Sequence, residues 1–228
     1  MRSDAIRRVI RAYDDPVVRA YCWTRFWILR QRFLDEIGQY LPAAGPVLDI
    51  GCGFGLFSLY YASVEPRRLL RGIDLSPRRI AMARRAAARL GVDNVSYEEG
   101  DARQFTGDGE AAAAYMLDIV HHMPRPAVGP LLGQLHRCLR PGGYLLVKDV
   151  DTHPAPKRWF TWLLDRVMAP ATPVHYWPAD VLAALLEGTG FRVRRHLMVD
   201  VLPYPHVLYV CEKVPGASPD ERDASPRR

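Results

Sequence analysis

The chain has 228 residues, 49% of them hydrophobic and 25% charged, a composition that excludes a disordered or collagen-like protein and gives one α/β domain enough apolar surface for a substantial core. A net charge of +6 raises nucleic acid or an anionic membrane as partner. However, the basic pairs Arg67-Arg68, Arg78-Arg79 and Arg84-Arg85 carry none of the interleaved aromatics of a single-strand groove, so they read as solvated helix faces and no nucleic acid is expected. Cys22, Cys52, Cys138 and Cys211 form no C-x-x-C pair and no zinc spacing, so they are expected to be reduced, mostly buried thiols, with no metal site. No window approaches the ~20 apolar residues of a membrane span, and a cytoplasmic protein is expected.

Residues 1–41 read as a helical cap. Asp15 stands where it can cap a second helix, with Pro16 in the first turn, where its missing N–H costs nothing. Phe26, Trp27, Phe33, Leu34, Ile37 and Leu41 follow at spacings of three and four. After Pro42 the pattern changes to short apolar runs at 47–50, 69–74, 95–98, 112–119 and 144–150, separated by helical stretches at 56–62, 77–90 and 128–139. A further helix is read over 181–186, then strands over 191–199 and 207–213. Only Pro203-Tyr204-Pro205 separates those last two as a turn, so they must be antiparallel neighbours. The expected fold is α/β: a doubly wound, mostly parallel seven-stranded sheet with a C-terminal antiparallel hairpin and helices on both faces. It spans 42–214, with an aromatic lid insert at 152–178, and 215–228 reads as a disordered tail.

The run Val47-Leu48-Asp49-Ile50-Gly51-Cys52-Gly53-Phe54-Gly55 is a buried strand feeding a glycine loop and then a helix. Glycines let backbone approach a ligand, and the helix start behind them offers free N–H groups. A dinucleotide fingerprint needs its third glycine at position 56, where this chain has Leu56, and a diphosphate does not tolerate the Asp49 carboxylate. A cationic ligand does.

This string resembles motif I of class I S-adenosylmethionine-dependent methyltransferases of the small-molecule type, and further signatures of that family follow in order over roughly residues 45–150. The resemblance implies S-adenosylmethionine as cofactor. Gly51, Gly53 and Gly55 would face its methionine and ribose portion, and Asp49 would sit near the methionine amino group. In Gly72-Ile73-Asp74-Leu75-Ser76-Pro77 the strand-end acid Asp74 is the expected ribose ligand, with Ser76 the better helix cap. In Glu99-Gly100-Asp101-Ala102 the resemblance makes Asp101 the acceptor of the adenine amino group. Cys52, Leu75, Ala102 and Asp118 complete the implied cofactor site.

Tyr115 to Pro124 resembles the family's fourth strand and its following loop, including the pair His121-His122. In an extended segment the alternation of side chains puts His122 on the Asp118 side, so His122 is the expected general base for an acceptor hydroxyl, which favours oxygen as the methylated atom. Other roles for a histidine there are helix capping and packing on the adenosine. His121 and Asp149 are also carried as catalytic candidates. Lys148, Asp149 and Asp151 run toward the same edge, either touching substrate or pairing with one another. Tyr204 and His206 of the hairpin, and Tyr176 and Trp177 of an aromatic stretch from Trp159 to Trp177, are expected at that edge as substrate contacts for a hydrophobic or aromatic acceptor. Tyr21, Trp23, Phe26 and Trp27 beside Arg19, Arg25, Arg30 and Arg32 either pack as core or touch an anionic bilayer. Competing readings are a membrane-associated lipid or quinone methyltransferase, an RNA methyltransferase, and a cofactor-binding protein without turnover.

Overall fold

The computed structural model describes residues 2–105, 107, 109–152, 174–198 and 205–215. The elements in chain order are α1 (Arg2–Ala12), α2 (Pro16–Gly38), β1 (Gly45–Ile50), α3 (Leu56–Val64), β2 (Arg68–Asp74), α4 (Pro77–Leu90), β3 (Val95–Glu99), β4 (Ala111–Leu117), α5 (Arg125–Cys138), β5 (Leu139–Val150), α6 (Ala179–Gly188), β6 (Phe191–Leu197) and β7 (His206–Lys213). A single turn of 3-10 helix, Val120–His122, lies between β4 and α5.

Seven strands form one sheet in the order β3-β2-β1-β4-β5-β7-β6. The first five are parallel, while β7 runs antiparallel to both β5 and β6. The expected architecture is therefore present. Strand alternation sorts the core into two layers. Val47, Leu70, Ala113, Tyr115, Leu146 and Leu208 pack under α1 to α4. Leu48, Ile73, Ala114, Met116, Val147 and Tyr209 pack under α5 and α6. β1 lies between β2 and β4, so the chain reverses direction across the sheet at the β1/β4 boundary, the place where doubly wound sheets bind ligands beyond their C-terminal strand ends.

Local chemistry sets the boundaries. Asp15 accepts from the N–H groups of Val17 and Val18 at 2.8 and 3.2 Å, capping α2, and Ser76 accepts from Arg79 N at 3.3 Å, capping α4. Gly91 closes α4 with φ +70°. α2 is not continuous, because Arg30 has φ 51° and ψ 171° and kinks it.

One basic pair departs from the solvated reading. Arg68 is buried, and its guanidinium donates to the carbonyls of Pro42, Tyr61 and Leu41 at 2.8, 3.4 and 3.1 Å, joining the end of α3 to the turn before β1. All four cysteines are buried and free. Among the described residues no helix is long and apolar enough to cross a membrane, and no group of metal-ligating side chains occurs.

Candidate active site

Gly51, Gly53 and Gly55 all have positive φ, at 71°, 55° and 77°. Each is required for a different reason. A Cβ on Gly51 would strike the side chain of Ile119, and one on Gly55 would meet the Tyr97 hydroxyl at 2.4 Å. A Cβ on Gly53 would meet nothing within 4 Å, so that position faces open space. The loop is fastened below by Gly51 N and Cys52 N donating to Ile73 O at 2.8 and 3.1 Å. It is fastened above by the buried Tyr13, whose hydroxyl donates to Phe54 O at 3.0 Å.

Three acids follow the loop across the ends of β1, β2 and β3. Asp49 is 4% exposed, and its Oδ2 has no hydrogen-bond partner among the described residues. Burial pushes its carboxyl up to about 7, opposed by Ser58 and Tyr115 and reinforced by the nearby Asp74. Asp74 accepts from Gly53 N and Ser76 N, both at 2.9 Å, so it orients the glycine loop as well as standing at the strand tip. Leu75 beside it is 68% exposed. Asp101 is gripped by Arg103 two residues on, which holds its carboxyl below the usual range, and Ala102 follows half-buried. Cys52 lies buried among these acids, with its thiol pushed far up by burial and by Asp49 and Asp74. These residues fit S-adenosylmethionine: an orphaned buried carboxylate oxygen suits the ligand's cationic end, and the free space over Gly53 admits its approach.

The histidine pair sits differently from its expected place. Val120–His122 is 3-10 helix, not extended, so the alternation that favoured His122 does not apply. It is His121, 3% exposed, that joins the buried Asp149, with Nδ1 2.5 Å from Oδ1 and its backbone N–H donating to Oδ2 at 3.1 Å. Burial alone would raise the Asp149 carboxyl, but the charge and hydrogen bonds of His121 and the Val150 N–H hold it below the ordinary range. His122 is half-buried, its ring 4.1 Å from that of His121. The Tyr176 ring lies 5.8 Å from that of His121, and Arg125 stacks over the buried Trp177 at 5.0 Å. Because Ile119 touches Gly51, this turn rests on the glycine loop.

Asp118, at φ 57°, accepts from Lys148 Nζ at 2.7 and 2.9 Å and from the Arg25 guanidinium, with His206 Nε2 at 3.7 Å. The expected cofactor acid is therefore the centre of an ion-pair cluster. Lys148 is wholly buried, and burial together with Lys148 and Arg25 drives the His206 imidazole well below its ordinary range. Lys148 donates to Asp118, while Asp149 accepts from His121. Asp151 accepts from Ala179 N at 3.0 Å, at the start of α6. Tyr204 and the stretch 159–173 lie outside the described residues.

Sequence reasoning missed Tyr13 and the Arg25–Asp118 link. Arg25 carried a signal, since it lies three residues after the buried Cys22 and four before the buried Leu29, a charge on the apolar side of α2.

A family model described as a methyltransferase domain matches residues 24–196. An uncharacterized methyltransferase of Synechocystis is 29% identical over 157 residues, 66% of this chain and 69% of the relative. The ubiquinone biosynthesis O-methyltransferase of Pseudomonas aeruginosa is 30% identical over 128 residues, 55% of this chain and 52% of its own. The 27-O-demethylrifamycin SV methyltransferase of Amycolatopsis mediterranei is 32% identical over 129 residues, 55% of this chain and 46% of its own. The chain thus spans about half the length of these last two. In fold it is similar to a SAM-dependent methyltransferase of Methanosarcina mazei, with TM-score 0.63 at 20% identity, covering 78% of this chain and 97% of that one. With the family model spanning well over half of its length, the chain belongs to the class I S-adenosylmethionine-dependent methyltransferases, and S-adenosylmethionine is its cofactor.

Proposed function

We propose that the protein methylates an oxygen of a small, hydrophobic or aromatic acceptor, with the His121–Asp149 pair as general base. The observation that carries this reading is the buried 2.5 Å contact between His121 Nδ1 and Asp149. A carboxylate on Nδ1 fixes that nitrogen as the N–H donor and leaves Nε2 as the ring's proton acceptor. Two relatives named for O-methyl chemistry support oxygen as the target. The Tyr176 ring, 5.8 Å from that of His121, supports an aromatic acceptor.

S-adenosylmethionine, when bound, supplies a methyl group already activated by its positive sulfur. What remains for the chain is alignment and one proton. Asp74 and Asp101 are proposed to hold the ribose and adenine, and Asp49 the amino end, so that the acceptor lies beyond β4 and β5 in line with the methyl group. His121 Nε2 would take the proton of the acceptor hydroxyl as that oxygen is methylated, with Asp149 holding the ring in place.

The test is a labelled-methyl screen over phenols, hydroxyquinones and aliphatic alcohols, with His121→Phe and Asp149→Asn. Saturating S-adenosylmethionine should stabilise all three proteins by about 2.7 kcal/mol at a hundredfold excess over Kd. Turnover should fall by about 10²–10⁴ in either variant, with acceptor KM little changed. Stabilisation without product from any acceptor, or full turnover in His121→Phe, refutes the assignment.

A further inference from the structure

α2 divides the aromatic residues of the N-terminal segment between two environments. Phe26 joins Val18, Cys22, Leu29 and Phe33 in the core. Trp23 and Trp27 remain 59% and 48% exposed, and Val17 76% exposed. Pro16, Ala20, Trp23, Thr24 and Trp27 recur at spacings of three and four, and all are exposed, so the outer face of this helix is apolar and carries two indoles one turn apart. Exposed Arg19, three residues after Pro16 and four before Trp23, borders that face, and residues 16–29 of the helix hold no acid.

The charge around it is lopsided. Residues 1–32 hold eight arginines and three aspartates, a net +5 out of +6 for the whole chain. Arg7, Arg8, Arg11, Arg19, Arg30 and Arg32 are all exposed. An apolar stripe with indoles, bordered by arginine, matches the interface of a bilayer with anionic headgroups, where indole rings settle at headgroup level and each nearby cation adds about 1 kcal/mol. A second copy of the chain fits poorly, since a symmetric contact would bring two such +5 segments together.

We propose that the Val17, Trp23 and Trp27 face of α2, with the arginines of the N-terminal segment, docks the protein on an anionic lipid bilayer. The inner side of the same helix sends Arg25 to Asp118 at the C-terminal strand edge, so docking brings that edge next to the membrane. Delivery of a membrane-dissolved acceptor rests on the function proposed above. The docking itself does not, and its test involves neither cofactor nor acceptor.

The test is flotation of the full chain with vesicles of phosphatidylcholine alone or with about one-third phosphatidylglycerol. The wild type should float with the anionic vesicles at low salt, stay behind with phosphatidylcholine, and be released by added salt. Trp23→Ser/Trp27→Ser should lose about tenfold or more in partitioning, with an unchanged melting temperature, and Arg8→Glu/Arg11→Glu should weaken binding and flatten its salt dependence. Lipids brominated along the acyl chain should quench tryptophan emission of the unmodified protein. No flotation at low salt, no quenching, or equal flotation of the double tryptophan variant overturns the proposal, as does tryptophan-dependent binding to single-stranded RNA in place of vesicles.

Discussion

Gly53 and Gly55 share a left-handed backbone, yet alanine at the two positions should fail in opposite ways. Both variants incur the ~1–2 kcal/mol steric cost of a side chain at positive φ. At Gly55 the new methyl also collides with Tyr97, which is buried and held by Ser58 at 3.0 Å, adding about 1–3 kcal/mol of overpacking. Gly53→Ala has room in the protein and should melt only slightly lower, while losing cofactor affinity because the methyl occupies the open space over the loop. Chemical denaturation and calorimetric titration of both variants separate the two effects. Asp49 offers a second residue-scale prediction. Its carboxyl titrates at about 7 in the protein alone, and a cation beside it would pull that value down. Binding of S-adenosylmethionine should therefore release a proton and tighten as pH rises toward 7, by up to about tenfold per unit. Titrations in buffers of different ionisation enthalpy should show the proton, and Asp49→Asn should remove both it and the pH dependence.

At the scale of elements, the first half of α2 reaches the C-terminal strand ends through Arg25 to Asp118, while the second half, past the kink at Arg30, pairs Glu36 with His196 on β6. Arg25→Met leaves Asp118 with Lys148, so the variant should keep most of its stability. Its α2 amides should exchange with deuterium faster than in the wild type while those of β1, β4 and β5 do not change, and equal exchange in α2 would show that the link does not hold the helix. Elements with a strong period were readable from sequence. The 77–90 helix was placed to the residue, because Ser76, Pro77 and Gly91 give it a cap, a first-turn proline and a left-handed stop. Elements whose form depends on distant contacts were not readable. The histidine turn took helical form because Ile119 must sit on Gly51 and His121 must reach Asp149, which is 28 residues away, and no local pattern records either constraint. Likewise nothing near Arg68 announces that it will serve the carbonyls of Pro42, Leu41 and Tyr61.

For the whole molecule, two buried groups act oppositely on acid stability. His206 is held neutral when folded, so between pH 6.5 and lower values the unfolded chain takes up a proton that the native state refuses, and stability falls as pH drops. Asp49 stays protonated when folded up to about pH 7 but ionises near 3.8 when unfolded, so its contribution is full below 3.8 and fades as pH rises toward 7. Below pH 6.5, for as long as the native His206 stays neutral, the two slopes oppose each other, each being about 1.4 kcal/mol per pH unit. The wild type should show a nearly flat unfolding free energy in that window. Asp49→Asn should gain stability with pH there and His206→Gln should lose it, as urea titrations at several pH values would show; a flat profile in both variants contradicts the assignment. Below pH 4, acids held in their ionised form, such as Asp149, steepen the loss.

β7 is the last of the described strands, yet it lies inside the sheet, bonded to β5 on one side and β6 on the other. During synthesis, then, β6 leaves the ribosome with no neighbour to receive its backbone, and β5 keeps one flank open until His206–Lys213 has been made. The protein must pass through a period in which two strand edges are sticky and unprotected. It ends only when the final segment slides between them, like a keystone set after both sides of an arch.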